Sequence, residues 1–233
     1  MSNFPNAKKD WDADQRFCWA AVASNALTAA GYAEAAGFTD DTLDMENAKT
    51  AESKVFQYFK NHFENKGGYP IYGVRWFMTG KYDIPDEWTM DVSRIIEPGG
   101  GFFPDISLSG KIRQFPASAL RLCKPYFSNK SGACAIKVGI YNTNNNQLLQ
   151  NHALSLYSVG HEDEDGQEYD ENDPRYYNII TCCNPDVVDE GVKFFRIFYD
   201  TKTRKYLFLD EPWKIHHILF LDSLIEKHEA SFH

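Results

Sequence analysis

The chain has 233 residues, 43% hydrophobic and 15% aromatic, which is enough for a full core and excludes a disordered chain. Its formal net charge of −9, from 24 basic and 33 acidic residues, lacks the basic footprint of a nucleic-acid partner. No apolar run approaches the roughly 20 residues of a membrane span, so no membrane role is expected.

Residues 1–17 are polar and loop-like, with Pro5 and the run Lys8-Lys9-Asp10-Trp11-Asp12. They contain neither a basic leader nor an apolar stretch of the secretory kind. The expectation is therefore an intracellular protein, or an excised or processed domain of a longer secreted chain. A helical pattern begins at Cys18. Trp19, Val22, Ala23, Ala26, Leu27 and Ala30 recur at offsets of three and four and make one apolar face, and Gly31 ends it. Cys18 is thus placed at or just before a helix N-terminus, where unpaired N–H groups and the positive end of the dipole favour an anion. Free cysteines are also commonly small buried hydrophobes, and placement alone does not separate nucleophile from packing.

After a small, polar stretch with a short turn near residues 40–42, a second helix is expected over 51–63. Val55, Phe56, Phe59 and Phe63 form its stripe, and Gly67-Gly68 follow it. Residues 69–104 read as aromatic and irregular, with the run Gly99-Gly100-Gly101. That run has no Gly-Lys-Ser/Thr ending and opens no evident helix. It points to loop packing or a closely approached backbone rather than phosphate binding. A third helix is expected from Pro116 to about 124.

Beyond that point strands are expected at 133–141, 152–159, 176–182, 193–199, 205–210 and 216–221, separated by turn-rich segments such as 142–146. Helices first and an antiparallel sheet second is an α+β arrangement, read as one domain over 1–233, helical to about 130 and sheet from about 131. The acidic run from Glu162 to Asp173 lacks the ligand spacing of a calcium loop and reads as a solvated hairpin tip. Cys18, Cys123, Cys134, Cys182 and Cys183 form neither a disulfide framework nor a Cys-x-x-Cys metal site. His216 and His217 alternate faces of a strand, which argues against a shared metal, and no metal or organic cofactor is expected.

Among seven histidines, His152 opens an alternating strand. The next strand leads into Asn184-Pro185-Asp186, offering an amide and a carboxylate near its hairpin partner. A cysteine nucleophile needs an imidazole to carry the proton and a third group to orient the ring. Cys18, His152 and Asn184 supply those types in that order, with Asp186 as an alternative orienting group. Lys8, Lys9 and Gln15 are close enough before Cys18 to donate to an oxyanion beside the Cys18 N–H. The Cys18–His152 separation also lies within the roughly 130–150 residues seen in papain-like enzymes.

The chain resembles the streptococcal immunoglobulin-degrading cysteine endopeptidases of the IdeS/Mac type. Residues Phe17 to Leu27 are similar to that family's nucleophile helix, Ser53 to Lys60 to its second helix, and Gly100 to Asp105 to its glycine-containing loop. Asn151-His152 is similar to its histidine strand, and Ile180 to Asn184 occupies its acidic catalytic run. Lys8 stands ten residues before Cys18, where the family has an oxyanion-stabilising lysine. The resemblance implies a papain-like fold, with N-terminal helices packed on a C-terminal antiparallel sheet. It also implies a secreted or cell-surface, monomeric endopeptidase acting on a protein substrate, with immunoglobulin G cut in its hinge region as the named target. The implied roles are Cys18 as nucleophile, His152 as proton carrier, Asn184 as orienting group and Lys8 at the oxyanion. The chain departs from the family in having Cys182 and Asn184 for two aspartates, and Trp19 where glycine usually follows the cysteine. Two further readings go with it. One is the same chemistry on another host protein or a cell-wall peptide. The other is a binding module of the same fold that has lost activity.

Overall fold

The computed structural model describes residues 16–39, 53–85, 92–128, 132–162, 169–185 and 192–224. Helix α1 (Cys18–Ala29) is buried nearly all round, from Trp19 through Leu27. Its small residues explain how: Ala20, Ala21, Ala23 and Ala26 let neighbours approach the backbone closely from every side. A short α2 (Tyr32–Ala35) follows directly, after Gly31 at φ 84°. Helix α3 (Lys54–His62) is capped by Ser53, whose hydroxyl accepts from the Phe56 N–H at 3.2 Å. Helix α4 (Pro70–Thr79) has Pro70 in its first turn and ends on Gly80 at φ 75°.

Around Trp19 these helices share an aromatic core with Phe56, Phe59, Phe63, Trp76 and Phe77. Trp19 packs edge-on against Phe59 and Phe63, with centroids 5.7 and 5.3 Å away. The glycine run packs onto this core. The Gly100 N–H donates to the Tyr58 hydroxyl at 2.9 Å, and the Gly101 N–H to the Trp76 carbonyl at 3.1 Å.

The rest of the chain forms β1 (Ile112–Pro116), a 3-10 helix (Ala117–Cys123), α5 (Lys124–Ser128), β2 (Gly132–Tyr141), β3 (Leu148–Gly160), β4 (Ile179–Cys183), β5 (Val192–Asp200), β6 (Lys205–Phe208) and β7 (Trp213–Asp222). All pairings are antiparallel, in the order β1-β7-β2-β3-β4-β5-β6, and β6 pairs back onto β7 through Leu207 and Lys214. Six strands therefore close into a barrel, with β1 outside on β7. Leu154, Leu156, Ile180, Cys182, Ile197, Tyr206, Ile215 and Ile218 are among the side chains that fill it.

This closure overturns the papain-like arrangement of helices packed on an antiparallel sheet that the resemblance implied. The period-two pattern places side chains on faces but carries no information about which edge strands meet, so barrel closure was not legible. Smaller corrections follow the same logic. Residues 69–104 are not wholly irregular, because α4 lies within them. The helix expected over 116–124 is a 3-10 helix running into α5, and β1 was not foreseen. Strand β3 starts at Leu148 rather than at His152. The turn expected near residues 40–42 lies outside the described residues, as do 163–168 of the acidic run. Among the described residues no helix is long and apolar enough to cross a membrane.

Candidate active site

Cys18 is the first residue of α1, half-exposed where the following nine residues are buried. The remaining four cysteines, Cys123, Cys134, Cys182 and Cys183, are all buried. The helix is fixed by close packing and hydrogen bonds. Gly68 and Gly73 both lie against Trp19, so close that a Cβ on them would stand 2.6 and 2.8 Å from the indole, respectively. The Trp19 Nε1–H donates to the Lys66 carbonyl at 3.1 Å. One turn after Cys18, Val22 packs with Ala153 of β3 and Ala135 of β2. Deeper in, the Asn25 amide donates to the Ser155 hydroxyl of β3 at 3.0 Å. The helix bearing Cys18 and the strand bearing His152 are thereby held as one unit.

His152 is the first buried residue of β3, 3% exposed after four exposed positions. It lies on the same strand face as Leu154 and Leu156, at the end of the barrel interior. Its Nε2 is 2.9 Å from Asn184 Oδ1. An amide oxygen only accepts, so this contact assigns the proton to Nε2 and leaves Nδ1 as the basic nitrogen of the neutral ring. Asn184 comes immediately after β4, and the pairing of Cys183 with Ser155 and Cys182 with Leu156 brings it alongside the entry of β3. The ring of Trp213, at the start of β7, packs edge-on against the imidazole with centroids 6.2 Å apart. That indole flanks the imidazole on one side.

Cys18 and His152 line one cleft of about 170 Å³ together with Gly67, Gly68, Tyr69, Pro70, Val92, Lys137, Asn151 and Ala153. Residues distant in sequence thus meet at a single opening. Of the expected site residues, Cys18, His152 and Asn184 are brought together. Lys8, Lys9, Gln15 and Asp186 lie outside the described residues. Cys182 does not reach the cleft: it sits in the barrel core, and burial with Cys183 alongside pushes its thiol well up. It cannot stand in for a carboxylate.

The sequence reading missed Trp213, Tyr69 and Lys137. Trp213 follows Pro212 at the start of a strand, and only the β7–β2–β3 order places it by the imidazole. Lys137 looks like an ordinary polar position in an alternating strand. Among the described residues no group of three or more histidine, cysteine or acidic side chains could hold a metal ion. No family model, no curated protein and no solved structure matches this chain.

Proposed function

We propose that the chain is a cysteine endopeptidase using Cys18, His152 and Asn184. The observation that carries this reading is the meeting of a half-exposed thiol at a helix N-terminus with an imidazole already oriented by an amide oxygen, in one cleft. Such a constellation is recognised by geometry and roles, and it recurs on unrelated folds, so the barrel does not weigh against it. The Cys18 thiol gives its proton to His152 Nδ1, and the sulfur attacks the peptide carbonyl carbon. The resulting oxyanion is stabilised by the Cys18 N–H and the positive end of α1, with Lys8 proposed from the sequence as a further donor. His152 then protonates the leaving amine as the C–N bond breaks. Water hydrolyses the thioester, and the thiol is restored.

The reading is tested by labelling and cleavage together. A thiol-reactive peptide inhibitor should modify Cys18 at native pH, while the four buried cysteines react only after unfolding. A peptide panel and intact immunoglobulin G, the substrate named by the sequence resemblance, should be cut by the native protein and not by Cys18→Ala. Cleavage that survives Cys18→Ala overturns the mechanism. Cleavage of peptides but not of immunoglobulin G keeps the chemistry and removes that substrate.

A further inference from the structure

The cleft beside Cys18 has a charge character that peptide hydrolysis does not require. Lys137, on β2, is half-buried in its wall, and its ammonium lies over the Tyr69 ring at 4.7 Å from the centroid. It is paired across the sheet with Ala153 and with His217, so the strand carrying the catalytic histidine lies directly beside it. Among the described lining residues it is the one Lys, Arg, Asp or Glu, and no carboxylate there offsets it.

Two helix termini reinforce that charge. Cys18 is the first residue of α1, and Tyr69 and Pro70 are the cap and first residue of α4, helices of 12 and 10 residues. Both therefore direct their positive ends at the same opening. The whole chain carries a net charge of −9, so a positive cleft runs against the general field of the molecule. Burial lowers the Lys137 pKa from its ordinary value. An anionic partner in the cleft would counter that desolvation.

We propose that Lys137 is a specificity-determining residue that binds a carboxylate of the substrate close to the scissile bond. The inference rests on the endopeptidase reading for its consequence, but the carboxylate site itself is a property of the cleft. Tyr69 holds the ammonium in place from one side, and the carboxylate docks on the side facing the cleft. The carboxylate comes either from an aspartate or glutamate side chain or from the C-terminus of a chain bound in the cleft.

Matched fluorescent peptides separate these sources: an acidic residue near the cut, its amide counterpart, and a peptide ending shortly after the cut with a free or amidated terminus. With the native protein, the acidic member of one pair should have the higher kcat/KM. Lys137→Gln should reduce that preference about tenfold or more, and Lys137→Glu should invert it, while Lys137→Arg retains most of it. A side-chain preference identifies an acidic residue as the ligand, and a preference for the free terminus identifies carboxy-terminal trimming. An unchanged preference in Lys137→Gln and Lys137→Glu overturns the proposal. Fluorescence anisotropy of the same peptides on Cys18→Ala protein, with and without Lys137→Gln, reads the site without turnover. Carboxylate-dependent binding lost in Lys137→Gln, with no peptide cut by native protein, upholds the site and refutes the endopeptidase. Equal binding of acidic and amide peptides refutes the site whatever the catalysis.

Discussion

His152 illustrates how much a single hydrogen bond decides. Its Nε2 is committed to Asn184 Oδ1, so the ring is held in one orientation and one tautomer. In the proposed mechanism the imidazole carries the proton, so His152→Ala should reduce kcat by about 10²–10⁴-fold. Asn184→Ala leaves the base present but unoriented, so its loss should be smaller than that of His152→Ala. Equal losses would mean that Asn184 supports the fold rather than the ring, which a thermal melt of the variant resolves. A second histidine carries a different prediction. His216 Nε2 is 2.8 Å from the Tyr141 hydroxyl, and burial, with Lys205 and Lys137 nearby, pushes its pKa down to about 4. The folded state then holds fewer protons than the unfolded chain between that value and the ordinary histidine range near 6.5. Stability attributable to His216 is therefore present above that range and lost as the pH falls towards 4, by less than the full shift because the ring is half-exposed. The melting temperature should decline through this window, and more shallowly in His216→Gln.

At the scale of elements, the placement of α1 is the decisive joint. Asn25→Ala removes a buried donor to Ser155 and should cost about 1–3 kcal/mol of stability by urea denaturation. It should also lower activity although no residue at the cleft is changed, because α1 and β3 lose a fixed contact one turn below Val22. Unchanged kcat/KM would show that apolar packing with Ala153 alone sets the Cys18–His152 geometry. Gly73 presents two opposing effects. Alanine is favoured over glycine inside a helix by roughly 1 kcal/mol. The new methyl would, however, stand 2.8 Å from Trp19 Cζ3 and 3.3 Å from Ala23 Cβ, against a fully buried indole. Overpacking of that kind costs about 1–3 kcal/mol, so Gly73→Ala should be net destabilising.

The elements themselves were unequally legible. Helix α1 and the Cys18 at its start were read from apolar spacing and Gly31. Helix α4 was missed because Tyr72, Val74 and Trp76 are mediocre helix formers, and because Gly73 looks like a breaker when its contact with Trp19 is unknown. Its boundary signals, Pro70 and Gly80, were nonetheless present. The start of β3 was placed too late because Leu148 to Asn151 are exposed and supply no alternation.

For the whole molecule, the barrel distributes stability unevenly. Strand β2 is paired with β7 on one side and β3 on the other, along most of its length. Strand β6 is only four residues long and joins β7 through the single pair Leu207–Lys214. Hydrogen exchange should therefore find the slowest amides in β2 and β7 and the fastest barrel amides at the β6–β7 seam. Seam amides that exchange only with global unfolding would show that closure is cooperative with the rest of the barrel.

What the sequence determined by itself is local and chemical: the faces of its helices and strands, the glycine and proline boundaries, and three residues of suitable type in Cys18, His152 and Asn184. These follow from side-chain periodicity and backbone sterics, which act over a few residues. The tertiary structure decided whether the last strands close, which side chains fill the barrel, and what surrounds the imidazole. Cys182, assigned a place in the catalytic run by its position, turned out to be core. Trp213 and Lys137, unremarked in the chain, came to lie against the imidazole and in the cleft wall respectively. Those outcomes depend on strand order and register, which join residues well separated in the chain, such as Ile140 and Trp213, and leave no periodic trace in it.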